Sequence, residues 1–304
     1  MNDLHEHEHE HEHEHEHEHE HEHAQRDDLI FSFEFFPPKT EKGVENLRAV
    51  RTQLAELKPR FFSVTYGAGG STQTNTLNTV LEIQRDSDIE AAPHLSCVGS
   101  SAEQIREILE TYRDNGIRHI VALRGDLPSG TRDIGEFRYA NELVEFIRKE
   151  TGDHFNIEVA AYPEMHPQAP NLKVDIDNFV RKVNAGANSA ITQYFYNADA
   201  YWHFVDTCAD KGVDIPIVPG IMPITNYTQL ARFSDMCGAE IPRWLRKQLE
   251  TYGDDVESIA KCGEEFVTLL CENLLETGAP GLHFYTMNRV EPTMSIWRNL
   301  GLSE

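Results

Sequence analysis

The stretch Phe31-Ser-Phe-Glu-Phe-Phe-Pro-Pro38 reads as a short strand ended by two prolines. Neither proline can donate to a strand ladder, so the strand stops there. Its one carboxylate, Glu34, stands in sequence among four phenylalanines. A carboxylate that loses water without gaining a partner is costly, so this carboxyl is expected to hold a raised pKa and to donate a proton near neutral pH. An acid at the end of a strand, just before a loop, is the usual place of a catalytic group on a parallel α/β scaffold. The competing reading is a structural Glu34 held by an Arg or Lys from elsewhere.

Seven further runs read as strands: 60–66, 91–97, 118–124, 156–162, 189–195, 215–221 and 281–286. Several are β-branched or continuously apolar, as strands covered on both faces are. Between them lie helical patterns over 43–57, 75–85, 102–115, 136–149, 176–185 and 198–211. The longer last connection holds three more, over 226–237, 242–250 and 254–276. Ser101 with Gln104 forms a capping-box pattern, and Asn115-Gly116 and Ala185-Gly186 read as helix stops. Eight strands alternating with helices predict an α/β fold, a single (β/α)8 TIM barrel over 26–304. A doubly wound sheet is the alternative; no GxGxxG follows a strand and no P-loop occurs.

Residues 5–23 alternate His and Glu, ten of the first and nine of the second. With nothing apolar to offset ordering, residues 1–25 are expected to be disordered. Imidazoles at this density can bind a divalent metal such as Zn2+, Ni2+ or Cu2+; the plainer reading is a solvated tail. Of the net charge of −24, Asp3 and the nine repeat Glu supply ten negative charges, leaving a body of about −14. That excludes the basic stripe of a nucleic-acid surface. No apolar run is long enough for a membrane span, and no basic-then-apolar leader opens the chain, so a cytoplasmic protein is expected. Five cysteines without CxxC spacing fit free thiols.

At the predicted strand ends stand Glu34, Thr65-Tyr66-Gly67-Ala68, His94, Arg124-Gly125-Asp126, Tyr162 with Glu164 and His166, Thr192-Gln193, and Tyr285 with Asn288-Arg289. Seven of eight strands offer a polar group at the same end, which a purely structural role does not require. Each alone has a plainer reading: His94 as a bonded core histidine, Arg124–Asp126 as an ion pair, Gln193 as the partner of a neighbouring backbone group. Tyr66, Tyr162, Tyr194, Phe195 and Tyr285 could wall a flat conjugated ligand or belong to the core. Asn178, Arg181 and Lys182 share a helix face; at a helix start such a face could hold a pyrophosphate, and otherwise it is solvated. A metal-dependent or Schiff-base aldolase barrel is the main competing enzyme class.

The segments FSFEFFPPK, SVTYGAGGS, APHLSC, GIRHIVALRGD, VAAYPEMHP, RKVNAGA, ITQYFY, PGIMPI and HFYTMNR together resemble the bacterial-type methylenetetrahydrofolate reductases, over about residues 29–302. The resemblance implies non-covalent FAD, NADH as the donor favoured for bacterial members, and 5,10-methylenetetrahydrofolate entering the same site after the nicotinamide leaves. The implied product, 5-methyltetrahydrofolate, feeds methionine synthesis. By position, Glu34 resembles the general acid and Asp126 the acid beside the flavin pyrimidine and the folate pterin. Thr65 resembles a nicotinamide contact. Tyr66, Ala68, His94, Arg124, Gly125, Ala140 and Tyr162 match flavin positions, as do His166, Ala169, Asp175, Asn178, Arg181 and Lys182. The match at Ala140 needs a gap in 129–139. Gln229 and Arg289 match folate positions, with Arg289 placed to pair with the glutamate carboxylate; Gln193 matches an amide shared by folate and nicotinamide, and Phe233 an aromatic that packs against either. Asn197 departs from the acid often found there. A homo-oligomer is expected.

Overall fold

A computed structural model describes residues 29–66, 70–126 and 135–302, without the side chains of 70–73. The His-Glu repeat and Ala68 lie outside these residues.

The strands are β1 (Ile30–Phe35), β2 (Phe61–Val64), β3 (Glu90–Ser96), β4 (His119–Leu123), β5 (Asn156–Ala161), β6 (Ser189–Thr192), β7 (Ile217–Val218), β8 (Gly220–Ile221) and β9 (Gly281–Tyr285). They form one parallel sheet in the order β7-β6-β5-β4-β3-β2-β1-β9-β8. The predicted seventh strand, 215–221, is thus two short pieces split at Pro219, whose nitrogen carries no proton for the ladder. β7 pairs with β6 and β8 pairs with β9, so this one stretch closes the barrel. The barrel expectation holds, and the doubly wound alternative does not.

The helices are α1 (Glu41–Ala55), α2 (Gly70–Asp86), α3 (Ala102–Asp114), α4 (Ala140–Thr151), α5 (Leu172–Asn184), α6 (Ala198–Ala209), α7 (Tyr227–Cys237), α8 (Arg243–Thr251), α9 (Val256–Glu276) and α10 (Thr293–Asn299). Ser101 and Gln104 form the expected reciprocal cap of α3, at 3.3 and 2.9 Å. Gly116 (φ 76) and Gly186 (φ 115) follow helix ends in left-handed backbone, as their sequence context foretold. Several helix limits differ, most of all at three starts: α2 begins at Gly70, five residues early. α4 starts at Ala140, four residues late, and α5 starts at Leu172, four early, because Asn171 caps it by accepting from Val174 N. The short α10 was not foreseen. Asn197, where the family often has an acid, caps α6 by accepting from Asp199 N.

Alternation along the strands makes two cores. Phe33, Phe35, Phe62 and Val64 face outward into the main core with Leu47, Leu54, Phe284 and Trp297. Inside the barrel Phe61, Ala92, Val121 and Ile191 form a separate apolar layer. Glu34 therefore does not share a face with Phe33 and Phe35. Among the described residues no helix is long and apolar enough to cross a membrane.

Gly220 sits where closure is tightest. A Cβ there would lie 2.1 Å from the Thr192 carbonyl oxygen and 2.8 Å from Tyr285 Cε2. Gly220→Ala is expected to destabilise the protein by about 1–3 kcal/mol through overpacking. Urea denaturation at constant m-value measures it.

Candidate active site

Strand register gathers the inward side chains of β1, β2, β3 and β9 at one level. Glu34 Oε2 stands 3.1 Å from His94 Nε2 and 3.3 Å from His283 Nε2. Ser63 Oγ donates to the same oxygen at 3.4 Å. Behind this group, His283 Nδ1 lies 2.7 Å from Ser32 Oγ, both residues fully buried. The His94 contact is one of ion-pair distance; its Nε2 makes no directed hydrogen bond.

Burial is the largest influence on Glu34 and pushes its carboxyl up. The neighbouring imidazoles of His94 and His283 together outweigh it and hold the group at about 2. The expected raised pKa is therefore overturned. Phe31, Phe33 and Phe35, which suggested it, point to the opposite face of the strand, and the histidines come from β3 and β9, 60 and 249 residues away. The competing reading, a Glu34 held by Arg or Lys, does not hold either, since the partners are imidazoles.

A cleft of about 700 Å³, open to solvent, borders this cluster. It is lined by Gln229, Leu230 and Phe233 of α7, by Phe36, and by Tyr285, Thr286, Met287 and Arg289 after β9. Tyr285 is paired in register with Glu34, and Thr286 donates to the Glu34 carbonyl through N and Oγ1. The Asn288 side chain clasps Phe36, accepting from its N at 3.0 Å and donating to its O at 2.9 Å. Exposed Arg289 has no acidic partner among the described residues. Gln193 Oε1 accepts from its neighbour Tyr194 N, so part of its amide serves a backbone group as the plainer reading had it.

A second group forms at the ends of β4 and β5. Arg124 donates to Gln168 Oε1 at 2.5 Å and to the carbonyl of Gly125. Gly125 (φ 82) leaves no room for a Cβ, which would meet Ser96 Oγ at 1.8 Å. Tyr162 packs edge-on against His166 at 4.5 Å. Burial, and then the charge of exposed Asp126, push the Tyr162 phenol up to about 12. His166 N donates to Asp175 Oδ2, and Ala169 N to the His166 carbonyl. Lys182 donates to the Ala160 carbonyl, and burial brings its amine down to about 8. Asn178 accepts from Arg181, which is exposed.

The anticipated helix-start site is corrected. Because α5 begins at Leu172, Asn178, Arg181 and Lys182 lie in its C-terminal half, where no unpaired backbone N–H groups point outward. Thr65 and Tyr66 follow β2, and the Tyr66 hydroxyl is buried without a hydrogen-bond partner. Ala140 opens α4, away from any contact that would test it. Glu164, noted at the end of β5, accepts from Glu240 N at 2.8 Å, and burial pushes its carboxyl up to about 7. It thereby ties the β5 loop to the segment after α7.

Sequence reasoning passed over His283, Ser32 and Ser63. Period-two alternation was the available signal: His283 shares a face with Tyr285, and Ser32 with Glu34. Among the described residues no group of His, Cys, Asp and Glu is arranged to hold a metal ion.

A closed α/β barrel with an acid–imidazole cluster at its strand ends, beside an open cleft, is the architecture of a barrel enzyme. The methylenetetrahydrofolate reductase family model matches residues 19–301. The 5,10-methylenetetrahydrofolate reductase of Pectobacterium carotovorum is 43% identical over 89% of this chain and 90% of its own length. That of Escherichia coli K12 is 42% identical over 89% and 90%. Methylenetetrahydrofolate reductase (NADH) 1 of Arabidopsis thaliana is 41% identical over 92% of this chain and 49% of its own length. A solved protein of Clostridium thermocellum, described as binding two copies of 5-methyl-5,6,7,8-tetrahydrofolic acid, shares the fold at TM-score 0.61 and 18% identity, covering 92% and 96% of the two chains. The chain belongs to the methylenetetrahydrofolate reductase family and is an oxidoreductase.

Because Glu34 is held below its ordinary value of 4.5, its pairing stabilises the fold fully above that pH. The contribution is lost as pH falls through the folded value of about 2. Its size is on the order of 3 kcal/mol at most. In denaturation across this window, the stability gap between wild type and Glu34→Gln should narrow as the solution is acidified.

Proposed function

We propose that this protein reduces 5,10-methylenetetrahydrofolate to 5-methyltetrahydrofolate with FAD as bound cofactor and NADH as donor. The observation that carries this reading is the Glu34–imidazole cluster beside a cleft lined by Tyr285, the register partner of Glu34, and by Arg289, which has no acidic partner among the described residues. The order is ping-pong: nicotinamide leaves before folate enters the same place. The product would serve methionine synthesis in the cytoplasm, and the working form would be a homo-oligomer.

The second group of residues fits a flavin dinucleotide. Arg124, Arg181 and Lys182 supply cationic donors for phosphates, Tyr162 and His166 a ring surface, and Tyr66 an unsatisfied hydroxyl. With these, His94, Gly125, Asp126, Ala140, Ala169, Asp175 and Asn178 would complete the flavin contacts, Ala68 is proposed beside them, and Thr65 would meet the nicotinamide. Bound FAD supplies the hydride carrier between the two substrates.

In the cleft, Arg289 would pair with the glutamate carboxylate of the folate, while Gln229 and Phe233 hold its body and Gln193 its pterin. Asp126 would oppose the positive charge that develops when the folate ring opens. Glu34 would protonate the substrate nitrogen whose loss opens that ring. A carboxyl held at about 2 has no proton of its own to give at neutral pH. The cluster would act as one unit, in which Glu34 takes up the proton it delivers from a neighbouring group.

The test is the visible spectrum. Flavin bands should appear with FAD, bleach with anaerobic NADH and return with 5,10-methylenetetrahydrofolate; a protein that stays colourless with added FAD overturns the reading. Asp126→Asn should raise the flavin potential and slow recolouring by folate, whereas an unchanged potential places Asp126 away from the flavin. Arg289→Ala should raise the KM for folate about tenfold or more while leaving that for NADH within twofold.

A further inference from the structure

We propose that His283, oriented by Ser32, is the proton reservoir of the site and reloads Glu34 at each turnover. This rests on the folate-reductase reading and names the residue that supplies its proton.

Two imidazoles touch Glu34, and their geometry separates them. His94 is buried, at 7% exposure, but its Nε2 makes no directed hydrogen bond. His283 is fully buried, and both of its ring nitrogens are engaged. Nδ1 meets Ser32 Oγ at 2.7 Å, and Nε2 meets Glu34 Oε2 at 3.3 Å. A hydrogen bond at one ring nitrogen decides what the other can do. With Ser32 Oγ accepting from Nδ1–H, the mobile proton is the one on Nε2, aimed at Glu34.

The surroundings leave His283 one exit. The Phe61 ring lies below it at 6.2 Å between centroids, and Tyr285 stands edge-on at 5.3 Å. Across the ladder its neighbour is Gly220, which carries no charge. The titratable groups around it are Glu34, His94 beyond Glu34, and Tyr285. A proton leaving His283 therefore passes through Glu34, the one ionised group in direct contact.

The step balances without a further reagent. The Nε2–H bond of the imidazolium breaks and its electron pair stays on Nε2, while a bond forms from that proton to Glu34 Oε2. The carboxyl then gives the same proton to the substrate nitrogen and returns to carboxylate. His283 is left neutral, keeping its Nδ1–H hydrogen-bonded to Ser32 Oγ, and a proton taken up from solvent reaches Nε2 through Glu34 once product has gone. His283 is thus a positioning residue that acts through Glu34.

Two measurements decide it. In flavin-free protein, the 15N spectrum of the imidazoles should show a slowly exchanging Nδ1 proton on His283 that becomes labile in Ser32→Ala. Its absence from wild type overturns the proposal. In stopped-flow, His283→Asn should slow reoxidation of the reduced flavin by 5,10-methylenetetrahydrofolate by about 100-fold and flatten its pH profile, against near-normal reduction by NADH. Equal slowing of both half-reactions, or an unaltered folate profile, means a structural histidine. Should His283→Asn fail to fold, the milder Ser32→Ala carries the same test: a shifted folate profile supports the proposal, an unchanged one ends it. Failure of the underlying reading looks different, since wild type itself would then neither bleach with NADH nor recolour with folate.

Discussion

Closure of the barrel at Pro219 is the constraint from which the site follows. The chain reaches β6 through Ile217 and Val218, then β9 through Gly220 and Ile221. Pro219 has no N–H to offer, but its carbonyl accepts from His283 N at 2.9 Å. Gly220 N donates to Thr192 Oγ1 at 2.8 Å, and the absent Cβ lets Tyr285 reach the Thr192 carbonyl. These bonds set the height of β9 against β1. That height puts His283 opposite Ser32 and Tyr285 opposite Glu34.

Electrostatics then follows from alternation. Each strand sends one set of side chains to the helices and the other into the barrel. The outward set of β1 is aromatic and fills the main core; the inward set is Ser32 and Glu34. Inward positions at that level on β2, β3 and β9 are Ser63, His94 and His283. A carboxylate surrounded this way is buried but not isolated, so it ionises more readily instead of less. The same rule explains the apolar layer of Phe61, Ala92, Val121 and Ile191, which seals the barrel beneath the site.

The candidate cofactor and substrate regions are joined by loops rather than by the sheet. Glu164, in the loop after β5, holds Glu240 N beyond α7. Gly238, the left-handed cap of α7, leaves room for Pro167, which a Cβ would meet at 3.0 Å. The elements bearing Tyr162 and His166 on one side, and Gln229 and Phe233 on the other, therefore brace each other.

The sequence by itself determined the repeating strand–helix order, the helix cap at Ser101 and the stops at Gly116 and Gly186, and the polar residues at the strand ends. These are local signals: apolar period, capping chemistry and prolines act within a few residues. It pointed to Glu34 but misjudged its charge, because Phe31, Phe33 and Phe35 are neighbours along the chain that face the other way. Only the tertiary structure decided the partners. His94 and His283 meet Glu34 because barrel closure brings together strands far apart in sequence, and no local pattern encodes that distance. The N-terminal limit of α5 also needed its context, since Asn171 becomes a cap only once the chain after β5 has turned. Where residues interact with their sequence neighbours, the sequence suffices; where charge depends on which strands adjoin, register decides.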